Sequence, residues 1–237
     1  MKRFMNPWTL GLLAIMLFMS MRGNALGSPM DWLMSKMYIL PGVIIGLSFH
    51  EFAHAFVAYK LGDSTPKLQG RVTINPMAHV DPVGLLALFF VGFGWGNPVE
   101  INPRNFNKPR RDEILVSLAG VTMNLILAIV FTIILKILAT TTPVYTGGMT
   151  ASLAKIIIYI IQINLVLMIF NLLPIPPLDG FNLITEIFNL KKYSWWYDIY
   201  DKGFIILMVL ILFNFTDRIL TPCVGFCMDI VSLILML

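Results

Sequence analysis

Charge is what this sequence has least of. In a chain of 237 residues, Asp, Glu, Lys and Arg together make up 13%, about half the roughly 25% of an ordinary soluble domain. Hydrophobic residues make up 57%, and the mean hydropathy is +0.79. A soluble globule of this size cannot hide that much apolar surface. Secreted, cytosolic and disordered readings are therefore excluded, and a membrane protein remains. The net charge of +4 is too small and too scattered for a nucleic-acid-binding surface. There are only two cysteines, Cys223 and Cys227. That number excludes a disulfide framework, and in an apolar tail the pair reads as small packing residues. Long polar stretches are missing too. The longest, 60–82 and 174–202, fall short of the roughly 40 residues an unaided domain needs. The chain shows no internal repeat.

What is present is a series of apolar runs. Residues 8–21 follow Lys2 and Arg3, a pattern shared by signal peptides and first helices. A retained helix is expected, because the remainder is itself a multi-span chain. Residues 37–59 carry His50, Glu51 and His54. The run 83–95 contains Gly84, Gly92 and Gly94 and is too short to span upright, so a re-entrant hairpin is expected there. Runs 114–139 and 151–173 are long enough to cross. The tail 204–237 is expected to break into two shorter helices at Asp217 and Arg218. The fold expected is all-α and polytopic, with about six membrane segments. It divides into an N-terminal helix and linker (1–36), a membrane core (37–202) and C-terminal helices (203–237).

Basic residues orient these runs. Lys2 and Arg3, then Arg104, Lys108, Arg110 and Arg111, then Lys191, Lys192 and Lys202 are all expected on the cytoplasmic side. The link 140–150 has no charge and is expected outside. Tyr193, Trp195, Trp196 and Tyr197 read as interfacial anchors.

The chemistry begins with His50-Glu51-Phe52-Ala53-His54. On a helix, residues four apart share a face, so both imidazoles can reach one metal ion, while Glu51 is placed to hold a water. An acidic residue inside an apolar helix costs about 2.5–3.5 kcal/mol and normally has a task or a partner. A catalytic zinc takes three protein ligands and keeps an open position. Asp179 is the best third candidate. It follows Pro174, Pro176 and Pro177, which end a helix and force extended backbone, and precedes Gly180, which lets the chain turn. His79 with Asp81 is a rival pair, in a loop flanked by Pro76 and Pro82.

HEFAH at 50–54 followed by NLLPIPPLDG at 171–180 resembles the site-2 protease family of intramembrane zinc metalloproteases, in its compact bacterial branch without an appended peptide-binding domain. GRVTINP at 70–76, HVDPVG at 79–84, GWGNPV at 94–99 and AGVTMN at 119–124 extend the resemblance over about residues 40–185. The resemblance implies one Zn2+ per chain held by His50, His54 and Asp179, with Glu51 as general base. Asn124 matches the asparagine closing the family's Gly-x-x-x-Asn motif and is a candidate oxyanion donor. Asn171 opens the proline motif and is a candidate substrate-binding residue. Val121 stands where family members commonly have proline.

The function these expectations point to is hydrolysis of peptide bonds in or near transmembrane segments of other proteins. Its partners are a transmembrane substrate and the lipid bilayer, not nucleic acid. The location expected is a bacterial cell membrane, with the site nearer the cytoplasmic side. The strip 92–96 is a plausible edge for an extended substrate to pair with. Two rivals use the same residues: an inactive binding protein, which would show a lost Glu51 or ligand, and a metal transporter, which more often shows repeated halves.

Overall fold

The computed structural model describes residues 28–141 and 148–236, together with positions 11, 14 and 15. The helix expected over 8–21 falls almost entirely outside the described residues. Seven helices of ten or more residues lie among those described: α1 (Pro29–Lys60), α2 (Pro82–Val91), α3 (Pro109–Thr141), α4 (Met149–Asn171), α5 (Asp179–Phe188), α6 (Ser194–Leu212) and α7 (Phe215–Met236). The strand-like pairing among the described residues is one antiparallel bridge, Val80 to Gly96. The protein is thus a polytopic all-α membrane protein. By length and composition α1, α3, α4 and α7 can each cross a bilayer. The α2 helix is apolar but short, and α6 carries Asp198, Asp201 and Lys202 in its first half.

The core is the α1–α3–α4 bundle. Helices in lipid gain little from burying apolar area, so they associate through close backbone packing at small residues. Ala53, Ala55 and Ala58 of α1 are buried. At Gly42 an added Cβ would lie 3.1 Å from the Ile160 Cα of α4. The α7 helix covers the α3–α4 pair, with Val231 packed among Ala128, Leu135, Ile157 and Ile161. Cys227 packs on this cluster, as a small apolar residue should, while Cys223 is exposed.

The expected hairpin is a helix out and an extended chain back. The Asp81 carboxylate starts α2 by accepting from the N–H groups of Val83 and Gly84, at 2.8 and 3.0 Å. Gly92, at φ 85°, ends it. The returning chain lies so close that a Cβ at Gly84 would strike the Trp95 backbone, and one at Gly94 the Gly84 carbonyl. The Asn97 N–H closes the loop on the His79 carbonyl at 2.6 Å.

Two expectations are corrected. The tail breaks at Phe213 and Asn214, before Asp217, because Asn214 adopts the left-handed conformation (φ 57°) that asparagine tolerates. Asp217 and Arg218 lie inside α7, Asp217 in its first turn, where a carboxylate faces the helix's unpaired N–H groups. Among the four expected anchors, Tyr193, Trp195 and Tyr197 are exposed, but Trp196 is buried. Its indole N–H donates to Thr185 Oγ1 at 2.8 Å, and its ring stacks on Phe181 and Tyr200. An indole whose N–H is satisfied inside the protein belongs to the core.

Candidate metal centre

His50 and His54 lie one turn apart on α1, both buried. Their rings meet edge to face with centroids 4.6 Å apart, and the two Nε2 atoms are 3.0 Å apart. Asp179, the first residue of α5, brings Oδ2 to 3.2 Å from each Nε2. The three ligand atoms lie within 4.8 Å of one another.

Local sequence explains the convergence. Gly120 of α3 faces the rings, and a Cβ there would sit 2.5 Å from His50 Cε1 and His54 Nε2. Gly180 lets α5 start against the end of the proline loop, since a Cβ would strike the backbone of Leu172 and Leu173. Arg110 of α3 holds the far end of α5, donating to the carbonyls of Glu186 and Ile187 at 2.6 and 2.7 Å. Lys191 pairs with Glu113 and Glu186 at 2.7 and 2.5 Å. Burial works against the Lys191 charge, but its hydrogen bonds to these two carboxylates outweigh that and raise its pKa.

The imidazoles are oriented from behind. The Nδ1 of His54 contacts the Val116 carbonyl at 2.7 Å, and that of His50 contacts Asn124 Oδ1 at 2.7 Å. A carbonyl oxygen only accepts, so each Nδ1 carries a proton, and each ring in its neutral form presents the Nε2 lone pair. Two lone pairs and a carboxylate oxygen then face one another, and Asp179 Oδ2 is buried with no hydrogen-bond partner. A cation resolves that arrangement. Two neutral imidazoles held by acceptors behind them plus one carboxylate form a zinc-type donor set, so the residues fit the ion the sequence suggests.

Glu51 lines the same cavity, of about 800 Å³, and its Oε2 accepts from the Val99 N–H at 3.0 Å. Extended residues Pro98, Val99, Glu100 and Ile101 form one wall. Asn171 lines the cavity at the end of α4, with Nδ2 donating to the Leu167 carbonyl at 3.0 Å. Asn124 is fully buried behind His50. His79 and Asp81 are not brought to the centre. His79 is buried in a one-turn helix, with Nε2 2.7 Å from the Thr73 carbonyl, and Asp81 caps α2.

Sequence reasoning missed Asn164, and it took Gly120 only as the first residue of the Gly-x-x-x-Asn motif. Asn164 carried a signal, an amide inside the apolar run of α4. Gly120 opens that motif, but its role, a contact between helices, shows only in the fold.

No protein-family model and no solved structure matches the chain significantly. Curated relatives do match. "Putative zinc metalloprotease YwhC" of Bacillus subtilis is 39% identical over 185 residues, which is 78% of this chain and 84% of the relative. "Putative zinc metalloprotease Rip2" of Mycobacterium tuberculosis is 31% identical over 193 residues, 74% of this chain and 68% of the relative. The Mycolicibacterium smegmatis protein of the same name is 27% identical over 191 residues, 78% of this chain and 70% of the relative. With such identity over most of both chains, and with the two motifs that carried the resemblance meeting at one centre, the chain belongs to the site-2 protease family.

Proposed function

We propose that this protein is a zinc endopeptidase that cuts transmembrane segments of other proteins within the bilayer. The observation that carries the reading is the meeting of His50, His54 and Asp179 at one end of a cavity that Glu51 also lines. His50, His54 and Asp179 would hold the metal. Zinc, when bound, supplies Lewis acidity that acidifies water and polarises a carbonyl. Glu51 is the general base. Its carboxylate takes a proton from the attacking water and passes it to the nitrogen of the departing amine. The Val99 N–H bond to Oε2 holds that carboxylate in place. Asn171, at the cavity edge, is a substrate contact. A helical substrate shields its carbonyls in its own hydrogen bonds, so it must unwind locally to be cut. The extended wall at 98–101 is where an unwound strand would lie.

The family's relatives named zinc metalloproteases support a protease over a binding protein or transporter. The intact Glu51 favours catalysis over mere binding. Basic residues at 104–111 lie just before and within the first turn of α3, and Lys191 pairs with Glu113 of the same helix, which supports a cytoplasmic-facing site in a bacterial cell membrane.

Metal content and peptidase activity of the purified chain in detergent test the reading together. Wild type should bind about one zinc, and Asp179→Ala should lose it or bind far more weakly. Glu51→Gln should keep the zinc and lose activity by about 10²–10⁴-fold, the range of general acid–base catalysis. A folded wild type with no zinc, or an active Glu51→Gln protein, overturns it. Zinc transport without peptide cleavage would select the transporter instead.

A further inference from the structure

The hydrogen bonds behind His50 run in series across three helices, and their polarity is forced from the far end. The Ile160 carbonyl of α4 can only accept, and Asn164 Nδ2 donates to it at 2.8 Å. The Asn164 oxygen therefore faces α3, where it accepts from Asn124 Nδ2 at 2.9 Å. The same Nδ2 donates to a second acceptor-only group, the Gly46 carbonyl of α1, at 3.2 Å. With its nitrogen committed, Asn124 must turn Oδ1 toward His50 Nδ1, at 2.7 Å. That contact is a hydrogen bond only when Nδ1 carries the proton.

His54 needs no such chain, because its Nδ1 rests directly on the backbone carbonyl of Val116. Both asparagines have no exposed surface, so water does not substitute for either amide. Gly46 makes room for them. A Cβ there would come within 3.3 Å of Asn164 Oδ1. The commitment of Asn124 Nδ2 to two acceptors away from the cavity also removes it as an oxyanion donor in this arrangement.

We propose that Asn164 is a positioning residue of the metal centre: acting through Asn124, it holds His50 in the tautomer whose Nε2 lone pair faces Asp179. The consequence for metal binding rests on the reading of His50, His54 and Asp179 as zinc ligands, whereas the tautomer itself does not. An outer-shell partner of this kind changes metal affinity by about 10–100-fold when lost. Asn164 acts one bond further out, so the low end of that range is expected.

The chain has only three histidines, which makes the tautomers directly readable. Full-length, metal-free protein in micelles, with ¹⁵N-labelled imidazoles assigned from single-histidine variants, gives the protonated nitrogen of each ring. Wild type should show the Nδ1–H form at both His50 and His54. Asn164→Leu should convert His50 partly to the Nε2–H form while leaving His54 unchanged, and should weaken zinc about tenfold in chelator competition. Asn164→Asp keeps an acceptor oxygen toward Asn124 and should restore both readouts. Asn164→Ala carries the same test if leucine is not accommodated.

Wild-type tautomers and zinc affinity in the folded Leu or Ala variant overturn the proposal. So does an Asp variant no better than Leu, because a residue needed only for packing gains nothing from the oxygen. A wild type with the expected tautomers that binds no zinc supports the positioning of His50 and instead refutes the zinc reading.

Discussion

Gly120 has no side chain, and for that reason two imidazoles fit beside α3. An added Cβ would lie 2.5 Å from ring atoms of both histidines, and the rings are pinned from behind by Val116 and Asn124. They cannot retreat without breaking those bonds. Gly120→Ala should therefore weaken zinc binding by about 10–100-fold, on the scale of other losses around first ligands. The helix itself should not suffer, because alanine is the better helix former by about 1 kcal/mol. Chelator competition and far-ultraviolet circular dichroism, measured on the same sample, separate the two effects. Wild-type zinc affinity in the alanine variant would show that the rings have more freedom than this packing allows. The sequence names the three donors and Glu51 because their chemistry is unusual in an apolar segment. It marks Gly120 only as the first residue of the Gly-x-x-x-Asn motif, because a missing side chain matters only through what another helix puts there.

Asp63, just past the end of α1, shows how an element is held to the site. It is fully buried, and its carboxylate accepts from the Thr65 N–H and hydroxyl, the Asn105 side chain and the Asn102 N–H, at 2.6–3.0 Å. These bonds tie α1 to the 97–106 segment whose Val99 N–H holds Glu51. Burial alone would push the Asp63 pKa up, but the donors around it outweigh that and hold it below the usual carboxylate range. A depressed folded-state pKa gives stabilisation that is complete above the unfolded value of about 3.9 and lost as pH falls through the folded one. Asp63→Asn should cost about 2 kcal/mol at neutral pH, the scale of hydrogen bonds to a charged group. The gap in melting temperature between the two proteins should begin to narrow below about pH 4 and close as pH falls through the folded-state value. A constant gap from pH 7 to pH 3 would remove the carboxylate charge from the explanation. Elements of this kind were partly legible. Apolar runs locate α1, α3 and α4 because a bilayer-spanning helix is long and uniform. The break at Asn214 and the burial of Trp196 were not legible, since both are decided by partners distant in the fold.

At the scale of the molecule, the site lies toward one end of the helix bundle. The α3 helix has 33 residues, about 50 Å at 1.5 Å per residue, longer than a hydrocarbon core of about 30 Å. A helix of that length and composition can place its two ends on opposite sides. Its first turn carries Arg110 and Arg111, and Lys108 precedes it, whereas the link after Thr141 has no charge. Gly120 lies 11 residues along α3, and His50 ten residues before the end of α1, so the centre sits about 15 Å from the basic end on both helices. On the proposed function, that depth is inside the bilayer and reached by water through the cavity. The orientation proposed above, from the positive-inside rule, has the basic end in the cytoplasm. Single cysteines test this in intact cells, in a background where Cys223 and Cys227 are replaced by alanine. Thr141→Cys and Lys108→Cys fall at exposed positions on the two sides of α3. A membrane-impermeant thiol reagent should label Thr141→Cys directly and Lys108→Cys only after permeabilisation. The reverse pattern would turn the site toward the outside. Substrates would then be cut near their outer ends, where the basic flanks of a cytoplasmic-facing segment are absent.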